Sequence, residues 1–385
     1  MTWDKVKLGD ISLLVQTGPF GSQLHQSDYS KHGTPVVMPK NIKDGKINEE
    51  EIAKVSAEQV KRLRRHQLKR GDIVYARRGD IGRCAYIGSE NEGWLCGTGC
   101  LKISLDHGKA NSKFIYYYLQ LDSIIGWVTN HAVGSTMLNL NTEILKDIPL
   151  CLPDIDNQQK IASILSAYDD LIENNHRQIK LLEEAAERLY KEWFVKFHYP
   201  GWETHLHDSK EEGWRTGTLS DIGEFNRGKT IISANIESGP IPVIAGGISP
   251  SFYCNEYNVI GPVITISASG ANAGYVNLYH ENVWASDCSF LGDSATKYLY
   301  WIYCFLKSNP NILLNLQKGS AQPHVYAKDV NQIELLIPPK RILTSFESEA
   351  AALYSQIAKF DRMITLLQEA RDRLLPKLMS GEVEV

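Results

Sequence analysis

Two stretches of the chain place apolar residues at alternating spacings of four and three. In residues 154–197 the pattern begins at Ile161, and in residues 338–385 it begins at Phe346. Such spacing is typical of helices that pack along a coiled-coil seam. The predicted seam positions are Ile161, Leu165, Ile172, Asn175, Ile179, Leu182 and Leu189 in the first stretch, and Leu353, Ile357, Phe360, Ile364, Leu367 and Leu374 in the second.

Each predicted seam is interrupted once by a polar residue, Asn175 in the first and Arg371 in the second. A polar group at a seam position often sets the register of the helices at some cost in stability, and an ordinary helix edge is the alternative. Pro376 has no backbone N–H and clashes with the preceding turn, so we expect it to kink or end the second helix.

Before each long helix lies a mixed segment of about 140–150 residues in which β-branched runs alternate with Gly, Pro and Asn. The runs GDIVYA (71–76) and GPVITISA (261–268) are typical of short strands. FIYYYLQLD (114–122) and YLYWIYCFLK (298–307) predict buried helices, although strands remain open for such short apolar runs.

The two halves of the chain repeat each other. An offset of 185 residues carries Gly134-Ser135 onto Gly319-Ser320, Ile148 onto Ile333, and LLEEAAERL (181–189) onto LLQEARDRL (366–374). Earlier matches, such as LGDI (8–11) with LSDI (219–222) and TPVV (34–37) with IPVI (241–244), drift in offset as loops of unequal length require. The alternative, two unrelated domains of similar composition, does not explain so long a match.

The repeat predicts an α+β protein of four segments: a mixed domain at 1–153, a central spacer helix at 154–197, a second, similar domain at 198–337, and a distal spacer helix at 338–385. If the seams pair within one chain, the second helix runs antiparallel to the first. About 40 helical residues span roughly 60 Å. The two domains are then related by a pseudo-twofold axis, an arrangement that suits the reading of two DNA half-sites.

Composition excludes several classes of protein. No stretch approaches the length of a membrane span, and the N-terminal MTWDKVKLGD contains no apolar segment of the kind that a signal peptide has, so we expect neither secretion nor a membrane protein. Seven cysteines fit a reducing cytoplasm, and their spacing favours no metal site. The net charge is −4, yet residues 1–153 carry 20 basic against 16 acidic residues, whereas residues 198–337 carry 8 against 13. Charge therefore permits a nucleic-acid partner without demanding one.

GEFNRGKT (223–230) matches the GxxxxGK[ST] pattern of a phosphate-binding loop. Such a loop needs a hydrophobic strand before it and a helix after it. The preceding TGTLSDI is short and polar, and Gly239, Pro240 and Pro242 interrupt the sequence that follows. We therefore expect no nucleotide hydrolysis here. Motifs of methyltransferase and nuclease active sites are also missing from the sequence, which indicates a chain without catalytic residues.

Several polar segments are candidates for contact with DNA. KRLRRHQLKR (61–70) has six basic residues that could contact phosphates, with a solvated helix face as the alternative. Arg77 and Arg78 follow a predicted strand and could read guanine, or form salt bridges with Asp72 or Asp80. In the second half, the turns at 267–274 and 318–324 could serve the same purpose or be simple turns. The candidate residues are Gln23, His25, Lys61, Arg62, Arg64, Arg65, Lys69, Arg70, Arg77, Arg78, Asn272, Lys318, Gln322 and His324.

With the repeat and the helices established, the sequence resembles the specificity subunit of type I restriction–modification systems, and the resemblance covers nearly the whole chain. Its most specific parts are PDIDNQQKIASILSAYDDLIENNHRQIKLLEEAAERLYKEWF (153–194) and the ending RDRLLPKLMSGEVEV. TGPFGSQLHQSDY (17–29) and RGDIGR (78–83) are also similar to segments of the target recognition domains of this family.

The resemblance implies a DNA-binding subunit that has no catalysis or cofactor of its own. It implies two recognition domains that each read half of a bipartite site in double-stranded DNA, with two helices between them that dock partner subunits. Those partners are two methyltransferase subunits, which modify adenine with S-adenosylmethionine, and restriction subunits, which use ATP and Mg. The rival hypotheses are a free-standing DNA-binding regulator and, for the 223–230 motif, a P-loop NTPase. The acidic balance of residues 198–337 departs from what DNA binding alone would favour.

Overall fold

The computed structural model describes residues 3–79, 81–134, 139–205, 213–231, 237–319 and 322–385. The chain forms two compact units. Unit 1 comprises Met1–Glu173 and Thr365–Val385, and unit 2 comprises Asn174–Ile364. Packing therefore groups the chain differently from the four sequence segments, because each long helix contributes one part to each unit.

Unit 1 is a mixed unit of short strands and helices that ends in the first long helix. Its strands, β1 to β12 in chain order, are Asp4–Lys7, Ser12–Thr17, Tyr29–Ser30, Thr34–Val37, Ile42–Lys43, Lys46–Ile47, Lys54–Val55, Ile73–Ala76, Cys84–Tyr86, Leu95–Cys96, Cys100–Leu105 and Pro149–Leu152. Its helices, α1 to α5, are Ala57–Arg62, Ser112–Tyr118, Asp122–His131, Thr142–Lys146 and Ile155–Tyr190, of which α5 continues into unit 2.

The centre of unit 1 is an antiparallel sheet in the order β2-β11-β8-β9. Strand β8 is buried along its whole length because its neighbours cover both edges and the core covers its faces. The helix predicted from FIYYYLQLD is confirmed as α2. The ring of its Phe114 lies in the same core as Ile73 and Tyr75 of β8. A second sheet, β10-β4-β7-β3, packs beside it.

Unit 2 repeats this plan. Its strands, β13 to β21, are Arg215–Thr218, Asn226–Arg227, Ile241–Ile244, Phe252–Cys254, Val263–Ser267, Val276–Tyr279, Trp284–Ala285, Cys288–Gly292 and Glu334–Ile337. Its helices, α6 to α9, are Leu299–Ser308, Pro310–Asn315, Ala327–Asn331 and Lys340–Ser380, of which α9 continues into unit 1.

The strand order confirms the internal repeat. The sheet β14-β20-β17-β18 of unit 2 matches β2-β11-β8-β9 of unit 1, and both sheets are antiparallel. The parallel pair β15 and β19 matches β4 and β10, and the two-stranded β13-β21 matches β1-β12. Helix α6, predicted from YLYWIYCFLK, corresponds to α2. The fold is thus an α+β fold of two similar domains with long helices.

The helical prediction for both heptad stretches is also confirmed, by α5 and α9. Every predicted seam residue is buried or half-buried. Within unit 1 the early part of α5 lies against the late part of α9, as the contact of Asp169 with Arg371 shows. Within unit 2 the order is reversed, and Tyr190 contacts Phe346. Within unit 1, Ile161 of α5 also lies in one core with Leu378 and Met379 of α9, so the two helices run antiparallel there.

Helix α9 continues to Ser380, four residues beyond Pro376, so the proline does not end the helix as one of our alternatives required. In the described parts of the chain, no helix combines the length and the apolar character needed to cross a membrane.

Candidate nucleic-acid interface

In unit 1 the candidate residues converge at one end of the central sheet. Strands β2 and β8 end there, at Thr17 and Ala76, and β11 begins there, at Cys100, because neighbouring strands run antiparallel. The loops at 18–25, 77–79 and 97–99 therefore lie side by side. We call this end of the sheet the loop edge of unit 1, and the equivalent end of β14, β17 and β20 the loop edge of unit 2.

The loop after β2 is fixed by a close backbone approach. The amide of Gly18 donates to the carbonyl of Cys100 at 2.9 Å, and a Cβ atom at Gly18 would lie 1.9 Å from the carbonyl oxygen of Gly97. The hydroxyl of Thr98 donates to the carbonyl of Pro19 at 2.9 Å. Only glycine permits this crossing, which explains its place in TGPF.

The next residue of this loop is an exposed aromatic. The ring of Phe20 is 53% exposed and lies 5.8 Å from the guanidinium of Arg77. The Nε of Arg77 also donates to the carbonyl of Leu140 at 2.8 Å. Partial burial and the neighbouring Arg78 lower the pKa of Arg77, although an arginine so placed stays charged. The loop edge thus presents a cation held over an aromatic face.

Arg78 lies beside this pair and is exposed. Its backbone forms an antiparallel bridge with Asn139, which in turn bridges to Val133. Of the two salt-bridge partners considered for Arg77 and Arg78, Asp72 lies at the opposite end of β8, where it accepts hydrogen bonds from Ser104 and from the backbone of Lys69. The other, Asp80, lies outside the described residues.

The candidates Gln23 and Arg62 have internal partners. Arg62 donates from Nη2 to the carbonyl of Gln23 at 2.8 Å and lies 3.5 Å from Asp28. The side-chain oxygen of Gln23 accepts from the backbone of Phe20 at 3.2 Å. These two residues hold the loop in place, whereas His25 on the same loop is exposed.

The basic stretch 61–70 is not one helix face. Helix α1 ends at Arg62, a 3-10 turn follows at Arg64–His66, and the chain then enters the sheet region. Leu63 and Leu68 are buried inside the stretch and force this change of direction. Lys61, Arg64 and Arg65 are exposed and adjoin Arg62 and His66, which contact Gln23 and Gln16 at the loop-edge end of β2. Lys69 and Arg70 precede β8 and so lie at its opposite end.

His66 is the buried member of that stretch. It lies 3.2 Å from Gln16 and accepts from Nε of Arg65 at 3.0 Å. Burial, followed by the charge of Arg65, lowers the pKa of His66 to about 4, so the ring is neutral near pH 7. The buried ammonium of Lys102 donates to the carbonyls of Arg65 and Gln67 at 3.0 and 2.9 Å. These contacts fix the basic turn onto the sheet.

The loop edge of unit 2 has the same backbone pattern. His324 forms antiparallel bridges with Ser269 and Lys318, as Asn139 does with Arg78 and Val133. The amide of Val325 donates to the carbonyl of Ala268 at 3.0 Å, as Leu140 does to Arg77 at 3.0 Å. The structure thus brings together the two turns that the sequence could only name separately, with Asn272 and Gln322 exposed on them.

The P-loop-like segment also lies at this edge. Its residues Asn226–Arg227 form β14, and the amides of Gly228 and Lys229 donate to the carbonyls of Cys288 and Ala285 at 2.8 and 2.9 Å. A Cβ atom at Gly228 would lie 2.1 Å from the carbonyl oxygen of Ser286. These amides are therefore engaged in the sheet and do not form a phosphate cradle, and Gly228 plays the part of Gly18.

One aromatic cluster in unit 2 was missed by the sequence analysis. Tyr326, 42% exposed, stacks on His324 with ring centroids 5.9 Å apart. The ammonium groups of Lys318 and Lys328 lie 6.0 and 5.8 Å from its ring centroid. Lys318 also pairs with Asp329 at 2.6 Å. The offset of 185 carries Tyr326 and Lys328 onto Asn141 and Glu143, so the repeat gave no signal for this cluster.

The chain is similar to known proteins over most of its length. The family model described as the type I restriction modification DNA specificity domain matches residues 1–184 and 211–369. The MjaIX type I restriction enzyme specificity subunit of Methanocaldococcus jannaschii is 29% identical over 300 residues, which cover 71% of this chain and 69% of the relative. The crystal structure of a type I restriction–modification system S subunit from M. genitalium has a TM-score of 0.63 at 19% identity and covers 98% of this chain and 96% of that one.

Proposed function

The chain belongs to the type I restriction modification DNA specificity family, and from this premise we propose that it is the subunit that selects the DNA sequence on which a type I restriction–modification complex acts. Each unit reads one half of a bipartite site in double-stranded DNA. The observation that carries this proposal is that the family model matches both halves and that each half builds a loop edge with the same backbone bridges.

The groups at the loop edges suit double-stranded DNA. Exposed ammonium and guanidinium groups contact phosphates, which position a protein without reading sequence. Arginine at a turn can donate two hydrogen bonds to guanine, and aromatic or apolar side chains contact the thymine methyl group. We assign the first role in unit 1 to the exposed Arg64 and Arg65 and the second to Arg78. In unit 2 we assign the first role to Lys229 and the second to Gln322, which are exposed as well.

We further propose that this chain has no catalytic centre and that chemistry belongs to its partners. Two methyltransferase subunits dock on the long helices α5 and α9 and modify adenine with S-adenosylmethionine. Restriction subunits add ATP-dependent and Mg-dependent cleavage. The long helices set the separation of the two half-sites. The family supports this division of labour, and the helices offer long exposed faces opposite their seams.

Co-expression with the methyltransferase subunit encoded with it tests the proposal. Long-read sequencing of DNA from a host without its own methylases would map modified adenines. We expect one split motif, and exchange of residues 1–153 for those of a relative should change one half of the motif and leave the other half intact.

The free-standing regulator makes the opposite prediction. It requires a stable, sequence-specific complex of the isolated chain with DNA and no adenine modification on co-expression. A purified complex with the methyltransferase that leaves host DNA unmodified would contradict our proposal, and failure to form any complex would contradict the partner assignment.

A further inference from the structure

The two loop edges share a backbone arrangement and differ in their side chains. Offset by 185, the segment 133–143 of unit 1 falls on 318–328 of unit 2, and the backbone bridges of Asn139 and His324 agree with that alignment. Side chains can therefore be compared position by position at the same place in each fold.

On this segment, unit 2 carries the cations and the aromatic rings. The residues Val133, Asn139, Asn141 and Glu143 of unit 1 are replaced in unit 2 by Lys318, His324, Tyr326 and Lys328. In unit 1, Asn141 caps α4 through its side chain and Glu143 pairs with Lys146. The unit 1 segment thus serves its own helix, whereas the unit 2 segment exposes a stacked pair of rings flanked by two ammonium groups.

On the neighbouring loops the distribution is reversed. Unit 1 places Phe20, Arg77 and Arg78 there. In unit 2 the equivalent of Phe20 is Thr230, which lies two residues after Gly228. The equivalents of Arg77 and Arg78 are Ala268 and Ser269, which make the same backbone contacts. The hydroxyl of Ser269 donates to the carboxylate of Asp287, so it is engaged within the protein.

The basic residues of the segment 198–337 are also unevenly distributed. Residues 198–337 carry 8 basic against 13 acidic residues, a balance that argues against DNA binding. Four of those eight basic residues nevertheless lie at the loop edge, against two acidic residues, Asp287 and Asp329, that contact Ser269 and Lys318 there. The four are Arg227, Lys229, Lys318 and Lys328. The local field at this edge is what DNA meets, since screening limits the reach of distant charges to about 8–10 Å.

We propose that the two units read their half-sites with non-equivalent loops: unit 1 with Phe20, Arg77 and Arg78, and unit 2 with Lys318, His324, Tyr326 and Lys328. Each loop edge then carries one cluster that combines cations with an aromatic ring. The cluster of unit 2 lies on a different strand connection from the cluster of unit 1. The proposal rests on the proposed function, and it adds the side chains, base-reading and phosphate-contacting, through which each unit binds its half-site.

The physical basis is the same in both clusters. A ring held by a neighbouring cation is fixed at low entropic cost and offers an apolar surface to a base edge, while the cation contacts a phosphate or guanine. The connections that carry the clusters are joined by backbone bridges in both units. The cluster can therefore lie on one connection or on the other while the sheet stays the same.

Four single substitutions in the full chain, each co-expressed with the methyltransferase subunit, test the proposal. Arg78→Ala and Lys328→Ala remove an exposed member of each cluster. Ser269→Ala and Glu143→Ala alter the repeat-equivalent positions and serve as matched controls. The readout is the methylated motif and the methylated fraction of its sites in a methylase-free host. Three of the four residues are exposed, whereas Ser269 is half-buried and its replacement removes a hydrogen bond to Asp287. Thermal melting checks that each variant is folded.

We expect Arg78→Ala to change one half of the motif only. Either the preference for the base read there weakens or methylation of the sites falls, in both cases by roughly 5- to 150-fold, which corresponds to about 1–3 kcal/mol per base contact. Lys328→Ala should lower methylation across sites, with the loss restored by Lys328→Arg. The two controls should match the wild type. Controls as damaging as their counterparts, or four variants with wild-type motifs and fractions, would overturn the inference. A wild-type complex that modifies no split motif would instead remove the proposed function itself.

Discussion

Arg371 of α9 donates from Nη1 to the Oδ1 of Asp169 of α5 at 2.6 Å, within unit 1. The other oxygen of Asp169 accepts from the hydroxyl of Tyr117 on α2. Both charged side chains are mostly buried, at 25% and 18% exposure. The polar residue that interrupts the second seam therefore has a specific partner on the first helix, which favours a role in register over an ordinary helix edge.

Replacement of Arg371 by Leu should lower the free energy of unfolding by about 1–3 kcal/mol, because it leaves the carboxylate of Asp169 without its cation in a poorly hydrated place. Arg373→Leu is the matched control. Its pair with Glu369 is 3.6 Å long and 81% exposed on the arginine side, so we expect little change. Urea unfolding measures both variants, and equal stability of the two would show that Arg371 is only an edge residue.

Gly18→Ala should destabilise unit 1 or displace the loop after β2, since the new Cβ would meet the carbonyl of Gly97. We expect a cost of about 1–3 kcal/mol, as for overpacked sites in general. Gly21→Ala, three residues away, meets nothing within 4 Å and should change stability by less than about 0.5 kcal/mol. Thermal melting compares them, and a Gly18→Ala variant as stable as Gly21→Ala would contradict the close approach.

Lys229→Ala should weaken DNA binding without any loss of nucleotide hydrolysis. If its ammonium contacts one phosphate, the slope of log affinity against log salt should fall by about 1. Lys297→Ala is the control, because this exposed lysine lies beyond the opposite end of β20. Titration of fluorescent target DNA into the full complex at several salt concentrations gives both slopes. ATP hydrolysis by the purified chain without partner subunits, if it disappears in Lys229→Ala, would instead support the P-loop hypothesis.

Glu347 should make unit 2 sensitive to pH. Its carboxylate accepts from the amides of Tyr300 and Trp301 at 2.9 and 3.0 Å, at the first turn of α6. Burial is the largest effect and raises the pKa of Glu347 to about 7, from an ordinary value of 4.5. The folded chain then holds this proton more tightly than the unfolded chain between those values, so this contribution to stability is full below the lower value and falls as pH rises.

Glu347→Gln keeps an acceptor for the helix and removes the titration. The free energy of unfolding of this variant, relative to the wild type, should therefore rise by about 1–3 kcal/mol between about pH 5 and about pH 8. Urea unfolding at the two pH values measures the difference. The same offset between the two proteins at both pH values would contradict the raised pKa.

The sequence sufficed for the repeat and for the long helices, because hydrophobic spacing and self-similarity are local signals. It also located Arg77, Arg78 and His324 on turns. It could not show that Arg78 lies next to Asn139, or Ser269 next to His324, since those bridges depend on where distant strands end. The apposition of the candidate segments is therefore information that only the folded chain contains.

Charge was the less reliable signal. The stretch 61–70 was treated as one basic segment because its six cations dominate the composition, yet Leu63 and Leu68 direct the backbone and separate Lys69 and Arg70 from the rest. Arg62 donates a hydrogen bond to the carbonyl of Gln23, so both residues are engaged within the protein. In unit 2 the acidic average concealed a local gathering of cations, and Tyr326 was overlooked because a lone tyrosine after a turn carries no pattern of its own.

The bridges at the two loop edges are made by backbone atoms. A mutation that changes the side chain of residue 78, 139, 269 or 324 therefore leaves the hydrogen bonds that hold the two connections together. Substitutions at these positions can therefore accumulate one at a time while the protein stays folded. The backbone of each loop edge is thus separable from the side chains that it displays, so one fold can present many different surfaces at the same place.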